Sequence, residues 1–92
     1  MKEDPKLKAL RCDNLQVFFD RTHGQVTIGE IPPIRLAVLA AEGKHARVAL
    51  VGRPGETVLQ LLLRLDEGLG KFISKGIVTD EVVPELRRRG EL

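Results

Sequence analysis

A chain of 92 residues is long enough for one domain. Its composition, with 42% hydrophobic and 30% charged residues, is typical of a globular rather than a disordered protein. Fifteen basic against thirteen acidic residues leave a net charge of +2, too small an excess to indicate a nucleic-acid-binding protein by itself. The single cysteine, Cys12, excludes an internal disulfide and predicts a reducing compartment. No apolar leader follows the charged start of the sequence, so we expect a cytoplasmic protein.

Five segments in the first part of the chain have the length and pattern of β-strands. They cover residues 7–12, 15–20, 25–29, 34–41 and 46–51. In residues 15–20, Leu15, Val17 and Phe19 alternate onto one face, the period of a half-buried strand. Asp and Asn at positions 13 and 14 tolerate positive φ, which indicates a tight hairpin before that strand. Residues 1–5 are charged and end in proline, which predicts a mobile start.

Residues 34–41 are apolar on nearly every face, and their pattern fits two structures. One is a central strand that turns near Gly43 and pairs with residues 46–51. The other is a buried helix with Pro33 in its first turn and Gly43 at its end. The short length favours the strand, which we adopt as the prediction.

Residues 56–75 carry the clearest helical pattern in the chain. At about 100° per residue, seven apolar side chains fall within an arc of about 120°. They are Val58, Leu61, Leu62, Leu65, Leu69, Phe72 and Ile73. Gly76 suits the left-handed position that ends such a helix. A final short helix is predicted to end near Arg89, starting either after an N-cap at Thr79 or at Pro84.

These elements predict a single α+β domain over residues 1–92. Its architecture is an antiparallel β-meander of about five strands packed on one long C-terminal helix, with a short terminal helix after it.

Residues 49–57 place a glycine-bearing turn between an apolar strand and the long helix, which resembles the phosphate-binding loop of P-loop GTPases. That loop has four residues between its two glycines, then Lys and Ser or Thr. Here two residues separate Gly52 from Gly55, and Glu56 stands where the lysine is required. A carboxylate at that position repels phosphate, so the sequence excludes nucleotide hydrolysis of this kind.

No residue set in the sequence predicts a catalytic, cofactor or metal site. His23 and His45 each lie in a predicted turn without a second metal ligand at suitable spacing. Cys12 has no neighbouring base that would activate it as a nucleophile. We therefore expect a protein that is not an enzyme. An enzyme or small-ligand binder with His23, His45 or Arg53 in a loop-assembled site remains an alternative.

Basic residues gather at both ends of the chain and form the candidate nucleic-acid contact. Arg87, Arg88 and Arg89 are adjacent near the C-terminus, and Lys6 and Lys8 lie near the start. Arginine and lysine bind phosphates with salt-sensitive and largely sequence-independent affinity. A nucleic-acid-binding accessory protein is therefore a second hypothesis.

The long helix has a second strip of residues beside its main apolar arc. Leu59 and Leu63 supply apolar surface at one end, while Gly70 and Ser74 supply small side chains at the other. Two leucines one turn apart on one flank of the helix indicate that another surface packs against this flank. We therefore expect a non-catalytic, self-associating interaction or regulatory protein, a homodimer whose interface includes Leu59, Leu63, Gly70 and Ser74.

Residues prone to thermal damage are scarce in the sequence. Asn14 is the only asparagine, and the glutamines are Gln16, Gln25 and Gln60. This composition predicts a thermophilic source.

Overall fold

The computed structural model describes residues 11–92, which form an α+β fold with three helices and four strands. In chain order the elements are α1 (Asp13–Arg21), β1 (Gln25–Ile31), β2 (Ile34–Glu42), β3 (His45–Val51), α2 (Val58–Lys75), β4 (Thr79–Asp80) and α3 (Val82–Arg88). The strands lie in the order β1-β2-β3-β4 in one sheet. The predictions for residues 1–5 and 7–10 lie outside the described residues, and residues 11 and 12 are in neither helix nor strand.

The first described element is a helix, so the predicted hairpin at residues 13–14 and strand at residues 15–20 were wrong. The same apolar residues also fit a helical period, because Leu15 and Phe18 are three apart and face the core together. A partner from elsewhere in the chain fixes the helix start. The carboxylate of Asp66 in α2 accepts the backbone N–H of Leu15 at 2.8 Å and the side-chain amide of Asn14 at 3.1 Å.

β1, β2 and β3 form the antiparallel meander that the sequence predicts. Residues 34–41 lie within β2, so the strand interpretation of this apolar segment is confirmed. β2 occupies the centre of the meander, where Val38 pairs with Ile28 of β1 and with Leu50 of β3. The successive residues Ala37 and Val38 point to opposite faces of the sheet and are both buried, which explains why the apolar pattern of this strand continues on both faces.

The long helix predicted at residues 56–75 is confirmed as α2, with its start two residues later. Thr57 caps the helix by accepting the N–H of Gln60 at 3.1 Å, and the Gln60 side chain accepts the N–H of Thr57 at 2.8 Å. This reciprocal pair is a capping box. Gly76 has a φ of 69° and ends the helix as predicted, because glycine adopts this left-handed conformation without steric cost.

The C-terminal segment departs from the predicted all-antiparallel sheet. α2 carries the chain back so that β4 pairs with β3 in parallel, and the sheet formed by residues 11–92 is therefore mixed and has four strands, where about five antiparallel strands were predicted. Thr79 is therefore a strand residue and not an N-cap. Asp80 accepts the N–H groups of Val82 and Val83 at 2.9 and 3.1 Å and supports the start of α3. Pro84 lies in the first turn of α3, where no backbone donor is needed.

The core lies between the sheet and the two longer helices. Its fully buried members are Phe18 from α1, Val38 and Ala40 from β2, Val48 and Leu50 from β3, and Leu61, Leu65 and Leu69 from α2. Val58 belongs to the predicted apolar arc but is 48% exposed, because it lies in the first turn of α2, where the helix begins outside the core. None of the helices in residues 11–92 combines the length and hydropathy needed to cross a bilayer.

Candidate anion-binding cleft

Arg64 of α2 is the centre of an ion-pair network that joins the long helix to the loop before it and to the junction of β4 and α3. Its guanidinium group donates to the Glu56 carboxylate at 2.7 and 2.9 Å and to the Glu81 carboxylate at 2.9 and 3.1 Å. A fifth hydrogen bond, of 2.8 Å, joins its Nη2 to the carbonyl oxygen of Val51. All three nitrogens of the guanidinium group therefore donate hydrogen bonds, and their acceptors lie in three different segments of the chain.

The two carboxylates of this network are also bound to the backbone. Glu56 accepts the N–H of Arg53 at 3.0 Å, and Glu81 accepts the N–H of Val51 at 3.0 Å. The hydrogen bond from Arg64 is the main reason that the pKa of Glu56 falls to about 2, and the same bond raises the pKa of Arg64. The network holds the loop after β3 against the junction of β4 and α3.

An open cleft of about 620 Å³ lies beside this network. It is bounded by the start of β2, the loop that follows β3, and α3. Its apolar wall comes from Ile34, Leu36, Val51 and Pro54. Its charged side chains are Arg35, Arg53, Glu81, Glu85, Arg88 and Arg89.

The charge balance of the cleft is positive. Among the lining residues in the described part of the chain, four arginines against two glutamates leave an excess of two positive charges. Arg53 lies 3.8 Å from Glu81, and Arg35 has no ion pair or side-chain hydrogen bond within residues 11–92. Both side chains are exposed, so their guanidinium groups are accessible to a ligand in the cleft.

The other two arginines of the cleft have an internal partner. Glu85, one turn before them on α3, accepts from Arg88 Nε at 2.9 Å, from Arg88 Nη2, and from Arg89 Nε at 3.0 Å. Arg89 also donates to the carbonyl oxygen of Pro33 at 3.2 Å, which joins α3 to the turn before β2. These hydrogen bonds lower the pKa of Glu85 to about 2, with Arg88 as the larger cause.

This arrangement can bind an anion. Guanidinium groups match the geometry of phosphate and carboxylate oxygens and are less strongly hydrated than an ammonium group. Among residues 11–92, the polar side chains that line the cleft are arginines and glutamates, which supply charge and hydrogen bonds.

The structure gathers part of the predicted basic residues in this cleft. Arg88, Arg89 and the separately considered Arg53 line it, while Arg87 does not. Lys6 and Lys8 lie outside the described residues.

The histidines and the cysteine lie away from the cleft. His23 is exposed between α1 and β1, and His45 is exposed at the start of β3. The structure therefore does not bring them together with Arg53. Burial, followed by the charges of Asp66 and Asp13, raises the pKa of the Cys12 thiol and so disfavours its reactive thiolate. In residues 11–92, no three histidine, cysteine or acidic side chains are grouped closely enough to hold a metal ion.

The predicted interface strip on α2 has two different environments. Leu59 is 54% exposed, and Leu63 is half-buried. At the other end, a Cβ on Gly70 would lie 2.7 Å from the amide nitrogen of Asn14, so the close helix approach at Gly70 is made by α1 of the same chain. Ser74 is exposed and donates its hydroxyl to the carbonyl oxygen of Gly70 at 2.7 Å.

Sequence reasoning missed four charged residues of the cleft and its network, namely Arg35, Arg64, Glu81 and Glu85. Arg35 is the only charged residue in the apolar segment 34–41, which is an unusual position for an arginine. Glu85 precedes Arg88 and Arg89 by three and four residues, the spacing at which helical side chains meet. For Glu81, no local signal indicates contact with α2.

Comparisons with known proteins give no relative of this chain: no family model, curated protein or solved structure matches it significantly.

Proposed function

We propose that this chain is a non-catalytic binding module that holds the phosphates of a nucleic-acid strand in the arginine cleft. The supporting observation is the pair of accessible guanidinium groups, Arg35 from β2 and Arg53 from the loop after β3, on the walls of one cleft. Within residues 11–92, Arg35 has no anionic partner and Arg53 meets Glu81 only at 3.8 Å, so two bound phosphates would supply one to each.

The composition of the cleft favours a phosphate chain over a recognised nucleobase. Bases are held mainly by stacking on aromatic rings, and the chain contains no tryptophan or tyrosine. The three phenylalanines lie elsewhere: Phe18 is buried, Phe19 is on α1, and Phe72 lies beneath the guanidinium of Arg47 at 4.7 Å. Binding should therefore depend on salt and show little preference for base sequence.

The test measures fluorescence anisotropy of a labelled single-stranded oligonucleotide of about 16 nucleotides. Arg35→Gln with Arg53→Gln should weaken binding by about tenfold or more at about 50 mM salt, because two phosphate contacts are lost. The slope of log affinity against log salt should fall by about 1.4, or about 0.7 per contact. Arg11→Gln with Arg21→Gln is the matched control, since both arginines are exposed and outside the cleft.

Two results would contradict this function. If both double variants lose the same affinity, binding follows net charge rather than the cleft. If polyglutamate binds as tightly as the oligonucleotide and also depends on Arg35 and Arg53, the ligand is an acidic protein segment and not a nucleic acid.

Self-association is a second candidate function, supported by the apolar first turn of α2. Val58 and Leu59 are adjacent and are 48% and 54% exposed, so they form a small apolar patch at the start of α2. In this proposal the module is a cytoplasmic homodimer in which Leu59 and Leu63 meet a second copy.

The oligomeric state tests the second candidate directly. Leu59→Glu should convert a dimer into a folded monomer in size-exclusion chromatography with light scattering, because a carboxylate cannot be buried unpaired in an apolar interface. Ile77→Glu is the control, since Ile77 is similarly exposed at 47% but lies beyond the other end of α2. A wild-type protein that is already monomeric, or a Leu59→Glu variant that keeps the dimer mass, rules out this interface.

A further inference from the structure

We infer that Glu85 is an internal counter-anion of the cleft, which competes with the bound strand for Arg88 and Arg89 and so limits its affinity. This inference rests on the proposed function of the cleft. Two of the four arginines, Arg35 and Arg53, are then open to the ligand. The ligand reaches the other two, Arg88 and Arg89, only by displacing the carboxylate of Glu85.

The hydrogen bonds of Glu85 carry the argument. Both of its carboxylate oxygens accept from guanidinium groups: Oε2 from Arg88, and Oε1 from Arg88 and Arg89. A phosphate in the cleft would use the same nitrogen donors, since phosphate and carboxylate oxygens fit the same face of a guanidinium group. Ligand and Glu85 cannot both have these donors.

The exposure of the three side chains makes the exchange possible. The side chain of Glu85 is 19% exposed, whereas those of Arg88 and Arg89 are 69% and 36% exposed. The arginines can therefore turn towards the cleft while Glu85 remains at its wall. Exposed ion pairs at this helical spacing are weak, so a polyanion can replace one.

Near neutral pH, a change of pH does not break the ion pairs of Glu85 with Arg88 and Arg89. Arg88 and Arg89 hold the pKa of Glu85 at about 2, so the carboxylate stays charged across the physiological range. The other charged groups that line the cleft are Arg35, Arg53 and Glu81. Displacement by another anion, rather than protonation, is the way to free the two arginines.

The test is a gain of affinity. Glu85→Gln should bind the labelled oligonucleotide about three to ten times more tightly than wild type at low salt, because a negative charge near the phosphates is removed. Its salt slope should steepen by about 0.7 to 1.4, as one or two further phosphate contacts form. Glu67→Gln is the matched control, since Glu67 is exposed on α2 and outside the cleft.

Variants of Arg88 and Arg89 form the second part of the experiment. With Glu85 present, Arg88→Gln with Arg89→Gln should weaken binding less than Arg35→Gln with Arg53→Gln does. In the Glu85→Gln background, the same Arg88 and Arg89 changes should remove the gain and return the salt slope to its wild-type value. Circular dichroism checks that α3 is retained. If Glu85→Gln unfolds it, Glu85→Asp, which keeps the charge on a shorter side chain, should show a smaller gain.

The outcomes separate this inference from the proposed function. If wild type binds through Arg35 and Arg53 but Glu85→Gln matches Glu67→Gln, the inference is wrong and the function stands. Weaker binding by Glu85→Gln would mean that Glu85 positions the arginines for the ligand, which also overturns the inference. If neither wild type nor Glu85→Gln binds the strand, both proposals are wrong.

Discussion

Arg64 shows how a single side chain can connect segments that are far apart in the sequence. Its partners Glu56 and Glu81 lie eight residues before it and seventeen after it. The side chains of Arg64 and Glu56 are only 18% and 9% exposed, so their charges are largely withdrawn from water. Removing one partner from such a group leaves an uncompensated charge, which costs more than the pair contributes when intact.

Replacement of this arginine should therefore destabilise the fold. We expect Arg64→Met to lower the free energy of unfolding by about 2 to 3 kcal/mol, somewhat less than for a fully buried pair because Glu81 can still reach water. Urea unfolding followed by circular dichroism measures the change. The exposed Arg21→Met should remain within about 0.5 kcal/mol of wild type.

The acid dependence of stability provides a second readout of the same variant. The folded-state pKa of Glu56 is about 2, below its ordinary value of 4.5. Its contribution is therefore present above pH 4.5 and is lost as pH falls towards 2. Arg64→Met removes the main cause of the low pKa, so the loss of stability across this window should become smaller. If Arg64→Met loses as much stability between pH 4.5 and 2 as wild type does, Arg64 does not hold the Glu56 carboxylate.

At the scale of elements, α2 is held close to its neighbours at two glycines. A Cβ on Gly68 would lie 2.9 Å from Cγ1 of Val48, a fully buried and β-branched residue of β3 that cannot move away easily. A Cβ on Gly70 would meet the side-chain amide of Asn14, the end of a flexible side chain, which can move away by giving up its 3.1 Å hydrogen bond to Asp66. The two positions therefore have different tolerance for the same added methyl group.

This difference predicts unequal effects of two alanine substitutions in one helix. Each gains about 1 kcal/mol of helix propensity over glycine. At Gly68, overpacking against Val48 costs about 1 to 3 kcal/mol, so Gly68→Ala should be the less stable variant by about 1 kcal/mol or more. Gly70→Ala should lie near wild type in urea unfolding. Equal stability of the two variants would contradict the close contact between α2 and β3.

At the same scale, contacts between elements explain why residues 13–14 and 15–20 were wrongly predicted as a hairpin turn and a strand. A short run of apolar and aromatic residues does not distinguish a strand from a helix, and aromatic residues favour a strand on average. The decisive contact is the Asp66 carboxylate, which accepts the N–H of Leu15 at the start of α1. Asp66 is fifty-one residues away, so no window of local sequence contains this information.

For the whole molecule, the cleft depends on the return of the chain after α2. β4 contributes two residues of pairing to β3, and the N–H of Glu81 donates to the carbonyl oxygen of Ala49 at 2.7 Å. This short parallel contact places α3 beside the start of β2. The arginine at position 89 thereby reaches Pro33, which is fifty-six residues earlier in the chain. The proposed ligand site is thus a product of topology and not of a motif.

The net charge of the chain gives little indication of such a site. An overall excess of two positive charges is modest, yet the cleft alone has an excess of two, since four arginines meet two glutamates there. The rest of the surface is therefore close to balanced. This distribution is suited to steering an anion to one location rather than to binding polyanions over the whole surface.

The local sequence determined the elements whose signals are complete within a short window. The α2 helix has a long apolar period, a capping box at Thr57 and a glycine at its end, and the hairpin of β2 and β3 has an apolar core pattern with a glycine turn. These features depend on neighbouring residues, so they could be predicted. The tertiary structure alone decided that α1 is a helix, that β4 pairs in parallel, and that Arg35, Arg53, Arg88 and Arg89 share one cleft. The physical reason is that these outcomes depend mainly on long-range contacts, such as those of Leu15 with Asp66, Val48 with Thr79 and Pro33 with Arg89, whose partners the local pattern does not specify.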